Sequence, residues 1–387
     1  MKNGGQRRHR AAEVLTIIGL ATACAHPRPV PPITVQQRPY GRFQPVVDYL
    51  QTQVDSAFPG ATVAVGYRDS VVLLAAVGHY AATDKRPVTT ETIYDLASLT
   101  KVIALTTECI LLVNRGKLDL DAPVQRYLPE FRGPMKDQVT IRYLLTHSAG
   151  LVADLPLWDS TRTREGALAM VDTSPLVSPP GTRFVYSDLS AIVLMQVVER
   201  ITGRPFDQLL ADDVFTPLAM TATGFAPPKT WRDRIAPTEM DTFFRHRLLI
   251  GEVHDESAAR LGGVSGNAGL FSTAPDLATF ARWLLRMRRT DSLHVREFTQ
   301  RQNIPPGSSR ALGWDTPSEN SSAGTKMGPN AFGHTGYTGT SIWFDPDRDL
   351  FIILLTNRVN PTRANTKIFQ VRRRVADLVN DILTPQP

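Results

Sequence analysis

Two cysteines in 387 residues, Cys24 and Cys109, are too few for a disulfide framework. An ordinary apolar core must hold the chain, and 42% hydrophobic against 21% charged residues supplies one. His-Glu-x-x-His is absent. The three neighbours His254, Asp255 and Glu256 in "GEVHDE" cannot all face one ion, so no metal and no cofactor is expected. They read instead as a loop over a cleft. Gly-x-Ser-x-Gly is missing, which excludes the α/β-hydrolase elbow. "GGVSGNAG" lacks the Gly-Lys-Ser ending of a phosphate loop and reads as a turn on a cleft floor. Positive charge is modest. The formal net is +6, and Lys2, Arg7, Arg8 and Arg10 against Glu13 put half of it in the first 24 residues. With no basic stripe among aromatics, no nucleic-acid partner is expected.

The start of the chain has the pattern of an export signal. A basic "MKNGGQRRHR" precedes the apolar "VLTIIGLATA", which is too short to span a bilayer permanently. Ala21, Thr22 and Ala23 before Cys24 resemble a bacterial lipobox, with Ala21 where leucine is usual. Residues 1–24 are therefore expected to be a signal peptide, with Cys24 a candidate lipidation site. Proline-rich residues 25–45 read as an extended tether, and residues 46–387 as one folded domain. The expected setting is the periplasm or cell envelope, with a membrane tether through Cys24 and a monomeric body.

The body opens with the helical pattern "VVDYLQTQVDSAF". "ATVAVGY" and "VVLLAAVGHY" read as a hairpin, as do "GTSIWFDP" and "LFIILLTN" near the other end. The last of these runs is apolar on both faces, as a central strand is. A helix over about 366–382 ends the domain. The middle, from Ser98 to Met287, is mostly helical in pattern. The fold class is thus α/β: an antiparallel sheet from both chain ends, flanked by helices, with a large, mostly helical lobe inserted. Arg282, Arg286 and Arg288 read as a solvated helix face, Cys109 as a core residue and His147 as a structural helix-end residue.

Within "DLASLTKV", Ser98 and Lys101 are three residues apart, and no other serine here has lysine at that offset. On a helix the two side chains share a face. A serine hydroxyl needs a base, and a helix starting at Ser98 would aim free N–H groups at a reacting carbonyl. Taken alone, the pair reads better as a capping serine followed by a surface lysine. Two later stretches change that balance: Tyr186-Ser187-Asp188 before a helical run, and His334-Thr335-Gly336 entering a strand.

The order Ser-x-x-Lys, Tyr-x-Asp, His-Thr-Gly resembles the serine β-lactamase and penicillin-binding-protein superfamily, in its class C-like branch. "NRGKLDLDAPVQRYLPEF", "VTIRYLLTHSAGL" and "GGVSGNAGLFSTAPDLATFARWLL" add to the resemblance. The chain is most similar to exported lipoprotein-like relatives of D-alanyl-D-alanine carboxypeptidases and esterases. The resemblance implies that Ser98 is acylated, that Lys101 and Tyr186 move its proton, and that the N–H groups of Ser98 and Tyr337 form the oxyanion hole. His334, Thr335 and Gly336 would contact substrate. Asp188 stands where the family has asparagine, favouring a charged Lys101 and shifting the base role toward Tyr186. His334 stands where it has lysine, which weakens capture of a substrate carboxylate. The implied activity is an acyl-enzyme serine hydrolase acting on peptidoglycan peptides. A carboxylesterase is the alternative, and a non-catalytic envelope penicillin-binding or interaction protein the second; the intact Ser98, Lys101 and Tyr186 speak against that second one.

Overall fold

The computed structural model describes residues 1, 40–319 and 321–384; the expected signal, Cys24 and most of the tether lie outside them. The folded body reaches back to Tyr40, which is buried, and helix α1 (Gln44–Gln53) already occupies the end of the expected tether. Pro45 in its first turn, where no N–H is needed, starts it.

Strands β1 (Gly60–Tyr67) and β2 (Ser70–Ala81) form the first hairpin, and β3 (Asp84–Pro87) extends it. The chain then leaves the sheet for the helical lobe. It passes through α2 (Ala97–Asn114), α3 (Asp188–Thr202) and α4 (Ala274–Thr290). It returns as β4 (Phe332–Thr335), β5 (Ser341–Asp345), β6 (Leu350–Thr356) and α5 (Ile368–Leu383). The six-stranded sheet runs β3-β2-β1-β6-β5-β4, antiparallel throughout. Both chain ends meet at its centre, where Ala61 pairs with Thr356 and Tyr67 with Leu350.

Residues of β6 alternate between two cores. Leu350, Ile352 and Leu354 pack with α1 and α5, while Phe351, Ile353 and Leu355 join the core of the helical lobe. Both faces are covered, which explains an apolar run with no polar alternation. α4 lies on β1 and β6, so its arginines are not a solvated face. Arg282 is buried and pairs with Asp69 at 3.4 Å, and Arg288 Nε donates to Thr299 Oγ1. Length and spacing alone had suggested a free face; the partners come from distant segments.

Candidate active site

Ser98 lies at the start of α2, on a tight first turn. Ala97 before it adopts φ +46°, a left-handed conformation that costs a residue with a Cβ. Asp95 holds that turn: Oδ1 accepts the Ala97 N–H at 2.8 Å and Oδ2 the His254 N–H at 2.7 Å. After Ser98 the helix widens to a π-helical stretch over Lys101–Thr106. The Thr106 and Thr107 hydroxyls donate to the carbonyls of Lys101 and Val102, supporting this wider turn. π-Stretches of this kind recur at functional sites.

Lys101 is buried and donates to Ser98 Oγ and to the Asn267 carbonyl, each at 3.0 Å. Its third neighbour is Asp188, an ion pair at 2.6 Å. Burial acts against the ammonium. The Asp188 carboxylate and then the Tyr186 phenol outweigh it, and Lys101 is held above the ordinary lysine range. The Asn267 side chain is itself fixed, donating to Asp255 and accepting from the Ser265 hydroxyl. Burial, then the nearby Asp188, pushes the Asp255 carboxyl up to about 6.

Tyr186 precedes α3, whose cap is Ser187. The Ser187 hydroxyl accepts the Ser190 N–H and donates to the Val152 carbonyl. The Tyr186 ring lies 5.0 Å from Lys101 Nζ. Its Oη is buried and lies within hydrogen-bonding reach of Lys101. His147 accounts for the ring's placement. Its imidazole packs on Tyr186 at 4.6 Å, and its Nδ1 accepts the Ser187 N–H at 3.1 Å. His147 is thus structural, as expected, but it orients a site residue that the pattern "LLTHSAGL" did not connect to it.

His334-Thr335-Gly336 leaves a strand rather than entering one, because β4 ends at Thr335. The turn that follows is tied to the start of α2: Thr338 Oγ1 donates to the Asp95 carbonyl and Thr340 Oγ1 to the Leu96 carbonyl. A Cβ on Gly336 would lie 2.3 Å from the Leu96 oxygen, so only glycine permits this approach. The turn brings Tyr337 to the cleft that Ser98 lines, and the Tyr337 N–H has no partner among the described residues. The His334 Nδ1–H donates to the Thr335 carbonyl at 2.8 Å. Burial, then Arg310 and Lys101, push His334 well below the ordinary histidine range, so it is neutral.

Ser98, Tyr186, His334, Thr335, Gly336 and Tyr337 all line one cleft of about 590 Å³, and Lys101 and Asp188 sit behind Ser98. Arg310 and Arg372 also line it, and sequence reasoning had assigned neither. His254 forms no metal site: its Nε2 meets Glu239 at 2.9 Å and its ring stacks under Tyr337. Among the described residues no cluster has the donors to hold a metal ion.

A family model described as Beta-lactamase matches residues 45–377. A protein described as "Putative D-alanyl-D-alanine carboxypeptidase" from Salmonella agona (strain SL483) is 31% identical over 363 residues, covering 83% of each chain. The protein so described from Salmonella typhi gives the same identity and coverage. Among solved structures, a penicillin-binding protein homologue from Caulobacter crescentus superposes with a TM-score of 0.72 at 21% identity, over 90% of this chain and 99% of that one. EstCE1, a hydrolase with promiscuous acyltransferase activity, gives 0.70 at 22% identity, over 88% and 99%. An octameric penicillin-binding protein homologue from Pyrococcus abyssi gives 0.69 at 20%, over 87% and 77%. At these identities the structures speak for the fold alone. The sequence matches, which span the whole sheet-and-lobe body around the cleft, go further: the chain belongs to the beta-lactamase family and is a serine hydrolase.

Proposed function

We propose that Ser98 is the nucleophile, that Tyr186 relays its proton, and that Lys101 acts as a fixed cation. One observation carries this reading. Lys101 donates to Ser98 Oγ and is held charged by Asp188, so it has no free lone pair with which to take a proton. The buried Tyr186 Oη, beside Lys101 on the same cleft, is left for that task. As Ser98 Oγ bonds to the substrate carbonyl carbon, its proton passes to Tyr186 Oη. In the same event the phenol's own proton passes to the leaving amine nitrogen or ester oxygen, so the phenol stays neutral. The carbon–leaving-group bond then breaks. Water reverses the relay to release the acyl group. The N–H groups of Ser98 and Tyr337 receive the carbonyl oxygen, a donor pair of the kind worth about 3 kcal/mol per donor.

The substrate is a peptidoglycan peptide ending in D-alanyl-D-alanine, as the relatives' description suggests. A carboxylesterase is the second reading, favoured by a neutral His334 where a permanent cation would hold a carboxylate. The enzyme works as a monomer outside the cytoplasm, with Cys24 its lipid anchor. Product analysis with purified muropeptides separates the readings. Release of D-alanine is expected; fast p-nitrophenyl ester hydrolysis without D-alanine release would establish the esterase instead.

A further inference from the structure

The carbonyls on either side of the Tyr337 N–H are each held by a buried arginine. Arg372, on α5, donates from Nη2 to the Gly336 carbonyl at 2.6 Å and to the Thr340 carbonyl at 2.8 Å. Arg358 donates from Nε to the Tyr337 carbonyl at 2.7 Å, and its guanidinium lies 4.4 Å from the Tyr337 ring. The turn has its own closure: the Gly336 N–H donates to the Thr340 carbonyl at 2.7 Å and the Gly339 N–H to the Gly336 carbonyl at 3.1 Å. Arg372 is therefore more than the turn needs to keep its shape. Its Nε is buried and unpaired, no carboxylate pairs with it among the described residues, and the charge that acts on it is a second cation, Arg358. A guanidinium keeps its charge when buried, and such a charge without a counter-ion is costly.

Peptide geometry gives that charge a role. The Gly336–Tyr337 peptide is trans, so its C=O and N–H point in opposite directions. A donor fixed on the Gly336 oxygen thus fixes the direction of the Tyr337 N–H, which has no partner of its own among the described residues and belongs to the cleft that Ser98 lines. Hydrogen bonds in series polarise one another, so a cation on the carbonyl makes the N–H at the other end a stronger donor. We infer that Arg372 is a positioning residue for the oxyanion hole: through the Gly336–Tyr337 peptide it aims the Tyr337 N–H and strengthens it toward the negative oxygen that forms in acyl transfer. This rests on the reading of that N–H as an oxyanion donor.

The test compares a p-nitrophenyl ester with its thionoester, in which sulfur, a weak acceptor, replaces the carbonyl oxygen. Wild type should favour the oxygen ester more than hydroxide alone does. Arg372→Met should lower kcat on the ester by about ten- to a hundredfold with KM little changed. It should also lower the ester-to-thionoester ratio of kcat/KM by at least about fivefold, which a purely structural brace would not do. Arg372→Lys, which keeps a cationic donor, should restore part of both. Should Arg372→Met fail to fold, Arg372→Lys is set against Arg372→Gln, a donor without charge, and the lysine variant should keep the higher ratio. A wild-type ratio in Arg372→Met, or equal ratios in the lysine and glutamine variants, overturns the proposal, whatever happens to stability in urea. A wild type that discriminates no better than hydroxide overturns the oxyanion reading of Tyr337, and the proposal with it. The nucleophile is scored separately, by loss of ester turnover in Ser98→Ala.

Discussion

Lys101 has two acceptors and an ion-pair partner within 3.0 Å, and this crowding fixes what it can do. A cation that donates to Ser98 Oγ orients the hydroxyl and cannot also receive its proton. Tyr186→Phe keeps the ring against His147 and removes the oxygen. It should lower kcat by about 10²–10⁴ with KM little changed, measured on a thioester or peptide substrate. A loss confined to KM would mean that the phenol only binds. Asp188→Asn tests the charge of Lys101 directly. With the carboxylate gone, burial is opposed by Tyr186 alone, so the lysine is held less far up and gives up its proton more readily. The variant's kcat/KM should then rise with pH along a new limb as free amine becomes available. The wild-type profile should lack that limb, and superimposable profiles would refute the assignment. The Ser98–Lys101 pair and Tyr186 were legible in the sequence because family patterns are short and local. Asn267, Asp255, Arg310 and Arg372 were not. A buried arginine has the same letter as a surface one, and the Asn267 carbonyl that holds Lys101 is 166 positions away along the chain.

α2 shows how an element can serve both packing and chemistry. Residues 99–112 are all buried, which is why the run reads as apolar on every side. Among them is Glu108, whose two carboxylate oxygens have no hydrogen bond, with Arg115 at 3.6 Å. Burial, then the Asp213 charge, pushes this carboxyl up to about 8. Unfolded, it titrates near 4.3. Between those values the native state holds the proton more tightly, so this group's contribution to stability falls as pH rises, by about 1.4 kcal/mol per pH unit. Glu108→Gln should therefore flatten the wild type's loss of stability from pH 5 to 8 in urea unfolding; a parallel pH dependence in both proteins would place the proton elsewhere. The two hairpins and the doubly covered β6 were legible because period and composition decide them. The end of the tether and the packing of α4 were not, since Tyr40 and Arg282 are buried by segments distant in sequence.

At the scale of the whole molecule, the sheet from both chain ends holds His334, Gly336 and Tyr337 against a lobe that holds Ser98, Lys101 and Tyr186. The contacts of Thr338 and Thr340 with Asp95 and Leu96 join the two halves beside the nucleophile. That architecture permits acyl transfer, while the local departures at Asp188 and His334 argue against fast β-lactam hydrolysis. Penicillin should acylate slowly and leave slowly, and turnover at the rate of dedicated resistance enzymes would contradict this. The most direct test of the central claim is intact-protein mass spectrometry with peptide mapping after exposure to a fluorophosphonate or a penicillin. The account predicts a single adduct on Ser98, absent in Ser98→Ala and formed more slowly in Tyr186→Phe. An adduct on another residue, or one retained in Ser98→Ala, would contradict it.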